Sequence, residues 1–359
     1  MKLQPHTQPI DVSNWKSNEP FNPYPVGARD KSLLISPNNS PYNFLRREHQ
    51  YLYKHSSNRY PEQFWMEVFS FRFGKLLGLP IPPAHVAHDS DNDTCGALIE
   101  WFIHSGEKIG KGTSIKYVIV GNSILNPIRW AFYVYLRLIL ILSGNRKAYF
   151  ERYTPGGDYL QRMIPDFDRK TGSQHNWGTV SKTCSILSRY ANLDNKNWIQ
   201  YWATTFVFDA LIGNTDRHQD NWGIIWQLRD AKLFSARLTP IFDNGTSMGH
   251  EISPSNIIKF NNPAHIERYI RRGTHHMKWD IKDENKTSHI EFMKLFTSKY
   301  PDTMPIVDKL TSYSSGDLDA ILNILCKFDI PVPLTQERAE LMSKLVIART
   351  RKLRESLNL

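Results

Sequence analysis

Leu211-Ile212-Gly213-Asn214-Thr215-Asp216-Arg217-His218-Gln219-Asp220-Asn221-Trp222-Gly223 is the run whose reading decides the fold, and Pro240-Ile241-Phe242-Asp243-Asn244-Gly245 follows it after a strand-like stretch. An acid (Asp216), an amide five positions on (Asn221) and a second acid (Asp243) form the residue order that phosphoryl transfer needs. One carboxylate orients or deprotonates an acceptor hydroxyl, while an amide and a carboxylate give hard oxygens to the Mg²⁺ that bridges nucleotide phosphates. The run therefore predicts Asp216 as catalytic aspartate and Asn221 and Asp243 as ligands of Mg²⁺ or Mn²⁺. ATP is the expected nucleotide.

The neighbours of these three have plainer expected tasks. Asn214 braces the turn, and Trp222 points into the core. The planar fork of Arg217 suits a carboxylate or a transferring phosphate. His218 is expected as a neutral ring that hydrogen-bonds backbone and borders the nucleotide, and Asp220 as a solvated acid.

Composition sets the outer limits. A chain of 359 residues with 40% hydrophobic and 12% aromatic residues can bury a sizeable core, and a two-lobed enzyme fits that length. Three well-separated cysteines, Cys95, Cys184 and Cys326, have no metal-like spacing and point to a reduced, cytoplasmic protein. The polar, proline-bearing N-terminus has no signal-peptide core. The most hydrophobic stretch, Trp130 to Leu142, carries Arg137 and is too short to span a bilayer. The net charge of +10 is spread along the chain, so a nucleic acid is not expected as the primary ligand.

Upstream of the decisive run the pattern is strand-rich. Residues 1–22 read as an irregular leader, 23–104 as a small β-rich N-lobe that binds ATP, and 105–359 as a larger, mainly helical C-lobe. Strands are expected at Lys31 to Pro37, Tyr51 to Lys54, Val86 to His88 and Ala97 to Phe102. Pro61 to Leu77 reads as a helix with Phe64, Val68, Phe69, Phe73, Leu76 and Leu77 on one stripe and Gly78 at its end. In the C-lobe, helices are expected at Asn126 to Leu142, Lys196 to Ile212 and Gln336 to Leu357, with a hairpin around Gln227 to Ser235. The fold class is α+β, bilobal and protein-kinase-like.

That arrangement needs a phosphate-binding lysine and an anion to fix it. Lys54 ends the strand YLYK, and Glu67 lies on the helix behind it. Gly27 and Lys31, in the turn before KSLLISP, are the expected phosphate contacts. Glu100 and Phe102, at the end of the last N-lobe strand, fall where a hinge meets adenine. No GxxxxGK[ST], HExxH or Gly-x-Ser-x-Gly occurs, which excludes a P-loop NTPase, a zinc protease and an elbow-type serine hydrolase.

At these residues the chain resembles the HipA-like bacterial serine/threonine kinases, whose catalytic loop reads Gly-Asn-x-Asp-x-His-x-x-Asn-(Trp/Phe)-Gly and is followed by Pro-x-(Phe/Tyr)-Asp. GNTDRHQDNWG and PIFDNG match at each defined position, and YLYK and the helix opened by Glu67 and closed at KLLGLPIP extend the likeness from about residue 24 to 250. The resemblance implies a bilobal kinase that uses ATP and Mg²⁺ on a protein Ser/Thr hydroxyl, itself included. Asp216 would be catalytic, Asn221 and Asp243 metal ligands, and Lys54 and Glu67 the phosphate-binding pair. It also implies a small antitoxin or regulatory partner, and a bacterial cytoplasmic or secreted protein. The chain looks like a short, core-only branch. Tyr24-Pro25-Val26-Gly27 carries no serine, so the inhibitory autophosphorylation of the toxins is not expected.

Three rival functions follow from the same residues. Type II phosphatidylinositol 4-kinases carry a similar Asn-Thr-Asp-Arg run before Asp-Asn-Trp, and a basic protein approaches an anionic membrane readily. A non-catalytic pseudokinase or basic scaffold has no need of Lys54, Glu67, Asp216, Asn221 and Asp243 together. Transfer of a nucleotidyl group to a protein hydroxyl is the third.

Overall fold

Short runs rich in aromatic and branched residues, Lys31–Ile35 (β3) and Gln50–His55 (β4), pair antiparallel with Lys31 opposite Lys54. They belong to a sheet whose other strands are Ile10–Asp11 (β1), Lys16–Ser17 (β2), Ala84–Asp89 (β5) and Thr94–Glu100 (β6), in the order β1-β5-β6-β4-β3-β2. The computed structural model describes residues 3–5, 7–17, 31–103, 149–191, 193, 198–229 and 233–359. Gly27, the stretch Tyr24 to Gly27 and the expected helix over 126–142 lie outside the described residues.

The segment expected to be an irregular leader is corrected here. Ile10–Asp11 pairs parallel with β5, and Lys16–Ser17 pairs with β3, so this segment supplies two strands of the N-lobe sheet. Two-residue strands carry no periodicity that a sequence reading could detect. Gln4 anchors the same segment, its amide donating to the Val86 carbonyl and accepting from the Val86 N–H at 2.9 Å.

Phe64–Leu76 (α1) crosses the back of the sheet. Pro61 to Gln63 form a turn instead of the first helical turn, and the Ser56 hydroxyl accepts the Phe64 N–H at 2.9 Å. At the other end Gly78 takes φ +74°, a left-handed cap that glycine adopts at little cost. The expected single stripe is too modest: eleven of the thirteen residues are buried, because the helix lies between the sheet and the C-lobe. Phe73 meets both Phe208 and Tyr313 across that boundary.

The described C-lobe is built on Gly156–Met163 (α2), Trp177–Tyr190 (α3), Trp198–Ile212 (α4), Pro254–Ile257 (α5), Pro263–Arg272 (α6), His289–Lys299 (α7), Met304–Thr311 (α8), Ser315–Leu325 (α9) and Gln336–Leu357 (α10). Helix α4 runs through the middle, buried from Trp202 to Ile212 except at Thr204. The expected hairpin is present as Gly223–Arg229 (β8) and Leu233–Leu238 (β9), joined by a third strand, Tyr149–Pro155 (β7). Leu52, α1, α4 and the C-terminal helix share one apolar core, so the two lobes are packed as a single body. Among the described residues, no helix is long and apolar enough to cross a membrane.

Candidate active site

Strand β4 directs Lys54 inward, where it is only 4% exposed. Its ammonium donates to Glu67 Oε1 at 2.9 Å and to Asp243 Oδ1 at 2.7 Å. A buried lysine is costly unless its charge is met, and here two carboxylates meet it. The second oxygen of Glu67 accepts the Asn244 N–H at 3.0 Å, so one glutamate fixes both the lysine and the backbone beside Asp243. Helix α1 thus couples the N-lobe cation to the PIFDNG segment.

Beside this pair opens a narrow cleft lined by Lys31, Leu52, Ile99, Glu100, Phe102 and Phe242 together with Lys54 and Asp243 themselves. Of the expected nucleotide contacts, Lys31, Lys54, Glu100 and Phe102 come together here. The Glu100 carboxylate pairs with Arg46 Nε at 2.9 Å, and burial raises its pKa against the pull of that arginine. The Phe102 ring packs on Phe242, and its carbonyl accepts from Arg237 at 3.3 Å. His49 pairs with the Trp101 carbonyl at 2.8 Å.

The catalytic-type loop leaves α4 at Gly213, whose φ of +68° suits glycine. Asn214 braces the turn as expected, its oxygen accepting the Asp216 N–H at 3.0 Å. Arg217 is the hub. It is 1% exposed and reaches Asp209 with two nitrogens, at 2.7 and 2.9 Å. It also donates to the Asn221 carbonyl at 3.1 Å, to Asn244 Oδ1 at 2.8 Å and to the Phe242 carbonyl. One guanidinium therefore holds the backbone of the loop carrying Asp216 and Asn221 against the backbone carrying Asp243. The carboxylate expectation for Arg217 is met, and its fork is fully occupied there.

Asp209 is a residue the sequence reading missed, although a lone acid inside the apolar run of α4 is a usable signal. Burial alone would raise its pKa, but the Arg217 charge and hydrogen bonds, with His275 close by, outweigh that and lower it to about 2. His275 approaches at 3.5 Å. His289, also missed, pairs with the Asn214 carbonyl at 2.7 Å.

Asp216 is half-buried at the loop's tip, and its carbonyl accepts the Asn221 side-chain N–H at 2.7 Å. That bond orients the Asn221 amide. Asp243 adopts φ +58°, an unusual backbone for aspartate of the kind that collects at functional sites. His218 is placed away from the cleft-lining set: Nδ1 accepts the Asp220 N–H at 3.1 Å and the ring meets His276. It braces the loop and does not line the cleft. Asp220 is not solvated but buried, gripped by Arg169 at 2.7 Å. Trp222 is buried beside Trp202, as expected.

The donors present suit a hard cation. Among the described residues, no three His, Cys, Asp or Glu side chains are grouped to hold a metal. Asp243 and Asn221 offer a carboxylate and an amide oxygen, the sparse protein set typical of Mg²⁺, which takes its remaining oxygens from phosphate and water.

No family model and no curated protein matches this chain. Several solved structures are similar to it, among them two bacterial proteins. A Helicobacter pylori proinflammatory kinase, CtkA, superposes with a TM-score of 0.64 at 15% identity, over 98% of this chain and 99% of that one. HipA of a Shewanella oneidensis toxin–antitoxin system, solved with HipB and operator DNA, gives 0.46 at 12% identity, over 100% of this chain and 76% of that one. The second superposition is too loose to carry weight. The first spans both lobes. This chain therefore has the bilobal α+β fold of a kinase.

Proposed function

We propose that this protein is an ATP- and Mg²⁺-dependent kinase that phosphorylates a Ser or Thr hydroxyl of a protein. The observation that carries the reading is the double grip on Lys54 by Glu67 and Asp243, with Asp243 in turn linked through Arg217 to the loop of Asp216 and Asn221. A scaffold has no use for a buried cation aimed at an acid that sits on a strained backbone.

In this reading Lys54 neutralises the phosphates of ATP bound in the cleft, and Glu67 keeps its rotamer fixed. Lys31, Glu100 and Phe102 border the nucleotide, and Gly27 is a further phosphate contact expected from the sequence. Asp216 accepts the proton of the acceptor hydroxyl as its oxygen bonds to the γ-phosphorus and ADP departs. Asn221 and Asp243 would hold Mg²⁺, which offsets charge on the phosphates. Positioning and electrostatics supply the rate, and the chain provides both through buried, hydrogen-bonded groups.

The test is transfer from labelled ATP to protein, including the enzyme itself, with Mg²⁺ or Mn²⁺. Wild-type protein should label itself or a lysate protein, and Asp216→Ala should lose at least about 10²-fold. Product mass separates phosphoryl from nucleotidyl transfer. Labelling of phosphoinositide vesicles with no labelled protein would make the acceptor a lipid instead.

A further inference from the structure

Helix α1 begins after the turn Pro61 to Gln63, and polar side chains at its start reach the segment that follows Asp243. The Gln63 amide donates to the Gly245 carbonyl at 3.2 Å, and Glu67 accepts the Asn244 N–H at 3.0 Å. Glu62 reaches the same segment through Arg338, which lies 276 residues further along the chain in the first turn of α10. Arg338 is 1% exposed. Its Nε and Nη2 hold Glu62 Oε2 at 3.1 and 2.9 Å, and its Nη1 donates to the Gly249 carbonyl at 2.9 Å. Nη2 also donates to the Ile252 carbonyl.

The turn that Arg338 grips depends on being held. Met248 and Gly249 take φ of +48° and +72°. Glycine adopts that region at little cost, but methionine rarely does, and such backbone persists where the surroundings fix it. A planar guanidinium can meet a carboxylate and two carbonyls at once, whereas the ammonium of lysine is a point charge on a flexible stem. Thr335 caps α10, its hydroxyl accepting the Arg338 N–H at 3.2 Å, and so fixes the backbone from which Arg338 reaches out.

Lys54 gives this clamp its consequence. Its two carboxylates come from the two elements that Arg338 joins, Glu67 on α1 at 2.9 Å and Asp243 at the head of segment 243–252 at 2.7 Å. Both reach one ammonium only while the helix and the segment keep a single spacing. We propose that Arg338 is a positioning residue of the ATP site: from the C-terminal helix it clamps the entry of α1, through Glu62, to the turn around Gly249 and Ile252, and so sets Glu67 and Asp243 on Lys54. This rests on the kinase reading above and extends its machinery beyond the catalytic motifs. Asp216 has supports of its own in Arg217, Asp209 and His289, so loss of the clamp falls on the phosphate end of the site.

The experiment measures Mg²⁺–ATP affinity by calorimetry and labelling from ATP across a range of Mg²⁺–ATP concentrations, on the full chain. The variants are Arg338→Met, Arg338→Lys and Glu62→Gln, with Leu353→Ala, a buried position near the far end of α10, as a control for damage to that helix. Groups that orient ligating side chains from outside typically matter ten-fold or more, so Arg338→Met should weaken Mg²⁺–ATP binding about ten-fold, and saturating nucleotide should restore most of the labelling rate. Arg338→Lys and Glu62→Gln should lose affinity in the same direction but less. Leu353→Ala should lower the urea midpoint and leave the affinity near that of wild type. Wild-type affinity in both Arg338→Met and Glu62→Gln, an equal loss in Leu353→Ala, or a rate that saturating nucleotide does not recover would overturn the inference while leaving phosphoryl transfer by the wild type intact. A wild-type protein that neither binds Mg²⁺–ATP nor labels any acceptor would instead remove the kinase reading beneath it.

Discussion

Lys54 and Arg217 perform opposite tasks with buried positive charge. Lys54 faces the cleft and is partnered by carboxylates on two different elements, whereas Arg217 is sealed behind the loop. Glu67→Gln keeps the volume of the side chain but leaves Lys54 with one carboxylate, so transfer should fall by an order of magnitude or more while far-UV circular dichroism stays unchanged. Asp209→Ala strands a guanidinium that is 1% exposed, and breaking such a buried pair costs roughly 3–5 kcal/mol, measurable as a lower urea midpoint. Lys54, Glu67, Asp216, Asn221 and Asp243 were legible in the sequence because their chemistry imposes order and spacing. His275 and His289 were not, because their contacts with Asp209 and with the Asn214 carbonyl leave no local motif, and Asp209 showed only as a lone acid in an apolar helix.

At the scale of elements, α1 and α4 decide how the site is held. Helix α1 has no solvated face along most of its length, and Phe73 packs against α4 and against Tyr313. Phe73→Ala should therefore cost roughly 3–5 kcal/mol and weaken transfer as well, since Glu67 rides on the same helix. Helix α4 ends in the left-handed Gly213, where an added Cβ would lie 2.5 Å from the Arg349 guanidinium carbon. Gly213→Ala should lower thermal stability by about 1–3 kcal/mol and displace the Asp216 loop, a pairing that calorimetry and a transfer assay on the same sample would reveal. Helices α1, α4 and α10 announced themselves by length and apolar content. Strands β1 and β2 did not, being two residues each and defined by their partners. Strand β7 was hidden in a stretch with no alternation, and its place is set by pairing with β8.

Across the whole molecule one core joins both lobes, so unfolding should be a single transition when followed by tryptophan fluorescence and by circular dichroism. Its pH dependence follows from buried histidines. Burial lowers both His85 and His289 to about 3 from an ordinary 6.5. Both stay neutral in the folded chain while the unfolded chain takes up protons, so stability is full above about pH 6.5 and falls as pH drops toward 3. The melting temperature should decline between pH 7 and pH 5, and His289→Asn should flatten that slope. A pH-independent melting temperature would contradict the neutral assignment. The central claim, that Lys54 and Asp243 mark the phosphate end of an ATP site while Asp216 serves the acceptor, is tested most directly by calorimetric titration of Mg²⁺–ATP into wild type, Asp243→Ala and Asp216→Ala. The account predicts that Asp243→Ala weakens metal-dependent ATP binding at least about ten-fold and that Asp216→Ala leaves it nearly unchanged. Equal loss in the two variants, or undiminished binding in Asp243→Ala, would contradict it.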